Sequence, residues 1–167
     1  MIVFNFMISV IGQVRIDVRA CGINSSDVLI CKGECETQKQ LPFIPGYEVC
    51  GDVKELGPAV KDIRVGDRVI GLNKDKYSGF AEECVLSEKD LWVVPQNMEY
   101  QIGVSLINTY GLALLGLQKR ANISKDDVVM VLGAAGALGL AAVDLATNLY
   151  EAKVCLFNCP HPDLVKL

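Results

Sequence analysis

The stretch Val128–Leu149, VVMVLGAAGALGLAAVDLATNL, decides how the rest of the chain is read. Val128–Leu132 is a short uninterrupted apolar run, the pattern of a strand covered on both faces. Gly133, Gly136 and Gly139 follow at i, i+3 and i+6. Leu138, Ala141, Ala142, Leu145 and Leu149 then recur at helical spacing, with Asp144 on another face. Strand, glycine turn and helix are the parts of a cradle for a dinucleotide pyrophosphate. Glycines let the backbone approach the ligand, and free N–H groups at the helix start face its charge. The spacing is GxxGxxG, not the commoner GxGxxG, and by itself it serves a tight structural turn equally well.

Working downstream, Ala152–Phe157 (AKVCLF) predicts a second, parallel strand that completes one β-α-β unit. Upstream, Tyr100–Lys119 carries Ile102, Leu106, Tyr110, Ala113, Leu114 and Leu117 at helical intervals. They predict a helix interrupted near Thr109–Gly111. Before Pro95 the pattern is different. Residues 13–20, QVRIDVRA, alternate, with Val14, Ile16, Val18 and Ala20 facing one way. Ser25-Ser26-Asp27 predict the cap of a short helix through Lys32, stopped by Gly33. Further strands are expected over Tyr47–Leu56, Arg68–Leu72, Gly79–Leu86 and Leu91–Val94. Gly51 inside the first of these suggests a bulge or a close backbone approach. Short strands with Gly/Pro punctuation indicate an antiparallel barrel.

Composition narrows the function classes. The 167 residues are 51% hydrophobic and 22% charged, enough to bury a core. Net charge is −4 with no basic block, so nucleic acid is not an expected partner. No run reads as a membrane span. The apolar start MIVFNFMISVIG lacks the basic residues of a signal peptide or presequence. Seven cysteines at positions 21, 31, 35, 50, 84, 155 and 159 show no framework spacing. With His161 the sole histidine, free thiols are expected rather than zinc or disulfides. An intracellular, reducing compartment follows, cytoplasmic by default.

Three motifs in order carry a resemblance: ACGINSSD at Ala20–Asp27, LPFIPGYEVCGDV at Leu41–Val53 followed by VGDRV at Val65–Val69, and LGAAGALGLAAVDLA at Leu132–Ala146. Together they resemble the zinc-independent quinone oxidoreductases of the medium-chain dehydrogenase/reductase superfamily. The resemblance implies a mixed α/β fold, a GroES-like, partly open β-barrel followed by the first β-α-β unit of a Rossmann fold. The expected organisation is an atypical segment at 1–12, the barrel over 13–98, a linking helix over 99–124, a partial cofactor-binding unit over 125–158 and a divergent tail at 159–167.

The resemblance also implies NADP(H)-dependent reduction of a small quinone-like substrate, or of a related activated carbonyl or alkene, by hydride transfer. In the zinc alcohol dehydrogenases of the superfamily, ligand Cys and His stand where this chain has Asn24 and Tyr47. An amide and a phenol are poor zinc ligands, so no zinc is expected.

Candidate site residues follow. Asn24 would hydrogen-bond cofactor or substrate, and serves equally as a turn or cap residue. Tyr47 would line the pocket, with packing at the barrel rim as its other role. Thr109 would sit near the nicotinamide, and otherwise satisfies backbone at a helix break. Gly133, Ala134, Ala135, Gly136, Ala137, Leu138 and Gly139 would hold the pyrophosphate. The second strand leads to Asn158 with no carboxylate for a ribose, which tilts the cofactor from NAD to NADPH. His161 is a weak candidate for a 2′-phosphate partner. For the family, mitochondrial placement and dimerisation are compatible.

A Rossmann sheet has two halves and about six strands, whereas one β-α-β unit is legible here. The expectation is reduced or absent activity, an open half-sheet and no complete dimer edge. The alternative is a non-catalytic barrel module whose exposed half-sheet binds a partner or leads to degradation.

Overall fold

A computed structural model of the chain describes residues 10–35, 40–74 and 77–157. Expectations for the two ends, including Asn158 and His161, lie outside the described residues. The chain divides into two compact units, Met1–Ile107 and Asn108–Leu167.

The first unit is built on an antiparallel sheet of β1 (Gln13–Gly22), β2 (Glu48–Leu56), β3 (Arg68–Leu72), β4 (Glu83–Ser87) and β5 (Leu91–Val93). The strand order is β4, β1, β2, β3, β5, which leaves the barrel open between its end strands. Val14 and Ile16 are fully buried, with Val49, Val53, Val69, Cys84, Leu86 and Leu91 around them. The alternation seen in the sequence holds only as far as Val18. A register shift against β2 lies between Val18 and Ala20. It sends Ala20 to a second cluster with Cys50, Ile70 and Val104, while Cys21 packs against the first. A bulge adds one residue to a period of two and so reverses the faces. Gly51 pairs with Val18 at this place. A Cβ on Gly51 would stand 2.2 Å from the Asp17 carbonyl oxygen, the close backbone approach its sequence context suggests.

The short helix α1 (Ser25–Lys32) ends at Gly33, whose φ of 72° is the left-handed C-cap. Its N-cap is Asn24, not the Ser25-Ser26-Asp27 run. β4 starts at Glu83 rather than Gly79. The N–H groups of Gly79 and Phe80 donate instead to the carbonyls of Gly46 and Pro45, so this segment follows the Pro-rich entry to β2. Between β4 and β5, the Glu88 carboxylate accepts two consecutive backbone N–H groups, from Lys61 and Asp62, each at 2.8 Å.

Those two bonds hold the Glu88 carboxyl below its usual range. A carboxyl lowered by folding stabilises the fold above its unfolded pKa of about 4.3 and loses that contribution as pH falls through the folded value. Glu88→Gln is therefore expected to be less stable than the wild type at pH 7. The gap should close in urea melts as pH drops below about 4. A gap independent of pH would exclude the carboxylate as its cause.

Helix α2 (Tyr100–Ser105) is fastened to this sheet by its first residue. The Tyr100 hydroxyl donates to Asp52 at 2.7 Å, and Arg68 stacks 3.9 Å from the ring centroid while donating to the same hydroxyl. The expected break near Thr109–Gly111 is absent. The helix runs continuously over Tyr100–Arg120, with π-helical turns at Leu106–Tyr110 and Leu115–Arg120 around α3 (Gly111–Leu114). Without a proline there, wider turns absorb the irregularity that the sequence reads as a break. This helix of 21 residues is long and apolar enough to cross a membrane by length and composition alone. Its Val104, Ala113 and Leu117 are buried, while Ile102, Leu112 and Leu115 are about half exposed.

The second unit contains β6 (Val128–Leu132), α4 (Ala137–Asp144) with a π-helical end at Leu145–Leu149, and β7 (Lys153–Phe157). β6 and β7 pair in parallel, the β-α-β unit expected. Leu117, Ile123, Ala146 and Ala152 form the core, with Val129 and Val154 packed against it. The two-sided burial expected of β6 is corrected. Val131 is buried, but Val128, Met130 and Leu132 on the opposite face are 69%, 66% and 70% exposed. Helices cover one face of the pair, and no described element covers the other.

Candidate functional site

Each glycine of the turn after β6 has its own physical reason. Gly133 has φ +69°, a conformation that side chains other than glycine adopt with strain. Its N–H donates to the Phe157 carbonyl and ties the turn to the end of β7. Its own carbonyl accepts the Gly136 N–H at 3.0 Å, closing the turn. Gly139 lies in the first turn of α4. A Cβ there would stand 2.3 Å from the Gly133 oxygen and 2.7 Å from the Ala134 Cα. Glycine at this position lets the helix seat directly on the turn.

Gly136 is different. It is the extended N-cap of α4, and a Cβ on it would meet only the Gly133 oxygen, at 3.5 Å. Its lack of a side chain is not demanded by packing, and instead keeps the helix start open. Gly136, Ala137 and Leu138 line a cavity of about 490 Å³ with Met130, Leu132 and Gly133. The leading N–H groups of a helix have no intrahelical acceptors, and the helix dipole there favours an anion. Ala134 is buried beneath the turn and Ala135 is half-buried. The residues present thus fit a pyrophosphate: an open glycine cradle, free donors and apolar walls.

In the first unit the structure brings Asn24 and Tyr47 together around two buried carboxylates. Asp27 is 2% exposed and Glu48 6%. Asp27 accepts the Asn24 N–H through Oδ2 at 2.9 Å and the Gly46 N–H through Oδ1 at 3.1 Å. It therefore clamps the start of α1 to the entry of β2. Glu48 Oε2 accepts from Asn24 Nδ2 at 2.6 Å. Tyr47 is buried, edge-on to Tyr77 with centroids 5.5 Å apart, and its hydroxyl accepts from Ser26 Oγ at 3.0 Å. Its ring belongs to a cluster with Ile30 and Tyr77, so packing is its evident use. Thr109, in the second unit, lies half-buried in the Leu106–Tyr110 π turn, a type of irregularity frequent at functional sites.

Asp27 and Glu48 are absent from the sequence-derived site. A signal was available: both lie in the quoted motifs, and neither has a cation beside it in sequence. The positions of Asn24 and Tyr47 offer zinc neither a thiolate nor an imidazole. Asn24 turns its amide nitrogen to a carboxylate and Tyr47 its phenol to a serine. Among the described residues no group of three or more His, Cys, Asp or Glu side chains could hold a metal ion.

The nearby thiols are inert by environment. Burial first, then the charges of Asp27 and Glu48, push Cys21 up to about 12. Burial likewise raises Cys84 to about 12 and Cys50 to about 11. Cys31 and Cys155 are exposed. A maleimide at pH 8 is expected to label Cys31 and Cys155 in the native protein, and Cys50 and Cys84 only in denaturant. Peptide mass mapping reads the outcome, and native labelling of Cys84 would contradict the buried position of β4.

A family model, the alcohol dehydrogenase GroES-like domain, matches residues 11–132. The chain belongs to this family. GroES-like members of the medium-chain dehydrogenase/reductase superfamily supply its relatives. It is 45% identical over 143 residues to the quinone oxidoreductase-like protein 2 homolog of Nematostella vectensis, matching 86% of this chain and 39% of that protein. The quinone oxidoreductase of Thermus thermophilus, solved also in complex with NADPH, is 28% identical with a TM-score of 0.74. That match covers 97% of this GroES-like chain and 50% of the bacterial one. CurK enoyl reductase is 27% identical with a TM-score of 0.82, covering 94% and 49% of the two chains. The chain spans about two fifths of the length of the curated relatives it matches.

Proposed function

We propose that this chain carries the substrate-side barrel and the first cofactor-binding unit of an NADP(H)-dependent, zinc-independent oxidoreductase. The carrying observation is the Gly133–Gly139 cradle, whose Gly136 leaves the start of α4 open for no packing reason. Its relatives, quinone oxidoreductases and enoyl reductases, support a quinone-like or activated carbonyl/alkene substrate. When bound, the cofactor supplies the hydride. The chain's own residues bind and orient. Gly133, Ala134, Ala135, Gly136, Ala137, Leu138 and Gly139 hold the pyrophosphate, Asn24 offers a hydrogen bond to a ligand oxygen, and Thr109 lies beside the nicotinamide. A proton for the reduced oxygen comes from water, so no acid/base dyad is needed.

Titrating the purified chain with NADPH tests this reading. Saturable binding, seen as blue-shifted cofactor emission or quenching of Trp92, is expected, with NADH weaker. A flat titration would favour the second reading, a non-catalytic module. The exposed Val128/Met130/Leu132 face supports that second reading. A bare parallel-sheet face stabilises poorly and attracts partners. On either reading, turnover with a quinone acceptor by the chain alone is expected to be slow.

A further inference from the structure

The Asn24 carboxamide is held from two sides, and the two contacts leave one group over. A primary carboxamide has two N–H donors and one carbonyl acceptor. The Asp27 N–H donates to the Asn24 backbone carbonyl at 3.0 Å, and the Asn24 side-chain oxygen faces the same N–H in a capping-box arrangement. One N–H is taken by Glu48 Oε2 at 2.6 Å. A carboxylate only accepts, so this contact fixes which end of the amide faces the sheet. The second N–H has no partner among the described residues, and Asn24 is half-buried.

Glu48 cannot easily turn away. It is 6% exposed at the first position of β2, and the end of β1 closes over it. A Cβ on Gly22 would stand 2.5 Å from Glu48 Oε2, so glycine there leaves room for the carboxylate in this position. Asp27 anchors the same loop by its backbone, through Asn24 and Gly46. Backbone and side chain of Asn24 are thus fixed by separate carboxylates.

We propose that Glu48 is the positioning residue of the site: it pins Asn24 so that a single amide N–H is presented to a ligand oxygen that accepts, such as a ketone or quinone carbonyl. The inference rests on the proposed reading of Asn24 as a site residue. It deepens that reading by selecting acceptors over hydroxyl donors at this position.

Side-chain amide NMR of the full 15N-labelled chain tests this, with the Asn24 pair identified by its loss in Asn24→Ala. In the wild type the two Nδ2 protons are expected to be well separated, one exchanging with solvent at least tenfold more slowly than surface carboxamides. In Glu48→Gln that protection should fall about tenfold while backbone signals of the sheet persist. Duroquinone, whose carbonyls only accept and whose ring is fully substituted, should move the other proton downfield in the wild type and less in Glu48→Gln. Two equally fast protons in the wild type would overturn the proposal, whether or not the variant folds. So would a duroquinone titration that leaves the pair unmoved. Failure of NADPH to bind would instead count against the cofactor reading and leaves these signals as they are.

Discussion

Gly139→Ala is expected to lose NADPH binding at least tenfold and to melt earlier than the wild type. The added Cβ would stand 2.3 Å from the Gly133 oxygen and 2.7 Å from the Ala134 Cα, both backbone atoms that cannot rotate aside. Ordinary contact needs about 3.5 Å or more, so the first turn of α4 must lift by about 1 Å. Overpacking of this kind costs about 1–3 kcal/mol. The lift also carries the N–H groups of Ala137 and Leu138 away from the turn they share with Gly133. Gly136→Ala is the control. Its Cβ meets only ordinary contact, and φ of −78° suits any residue. It should melt within about 1 kcal/mol of the wild type, the scale by which glycine is better than alanine at an N-cap. Cofactor titration and urea melts of the two variants decide the matter. A Gly139→Ala protein that binds and melts like the wild type would sink the cradle as described.

Asp27→Ala is expected to be the most damaging single change in the first unit. The carboxylate is 2% exposed and accepts backbone N–H groups from Asn24 and Gly46, 22 positions apart along the chain by their numbering. Alanine orphans both donors, the Gly46 N–H in a buried place and the Asn24 N–H in a half-buried one. Each unsatisfied buried donor costs about 1–3 kcal/mol, so a loss of about 3 kcal/mol is expected. That is a large share of the stability of an ordinary domain. Asp27→Asn keeps one acceptor oxygen and should lose about half as much. Equilibrium urea unfolding followed at Trp92 in β5 reports this unit. A loss below about 0.5 kcal/mol, the scale of a neutral surface change, would show that the clamp carries little.

These two positions also show how far the residues speak for themselves. The glycine spacing and the apolar run before it name a strand, a turn and a helix, and β6, the turn and α4 stand where they were expected. Spacing does not say which glycine is steric and which is open. That depends on distances from Gly139 and Gly136 to the Gly133 carbonyl, which exist only once the helix is seated. Asp27 reads in the sequence as one acidic residue in a helix cap. Its second bond, to Gly46, comes from a segment that only the pairing of β1 with β2 brings near.

The same division holds for the sheet. Alternation along residues 13–20 predicts a half-buried strand because side chains of a strand point to opposite faces in turn. It cannot foresee the bulge, which appears only in the pairing of β1 with β2, where Val18 stands opposite Gly51. Likewise Tyr100–Arg120 shows helical spacing, which places the helix but not the π turns that stand where a break was expected.

By itself, then, the sequence determined the element types, the antiparallel-then-parallel order and the glycine cradle, since these follow from local periodicity and backbone freedom. The tertiary structure alone decided that Asn24 lies between two buried carboxylates. It also decided that Tyr47 packs in a core and that one face of β6 is bare. The bonds from Asn24 to Glu48 and from Gly46 to Asp27 join residues distant in the chain, and no local pattern encodes them.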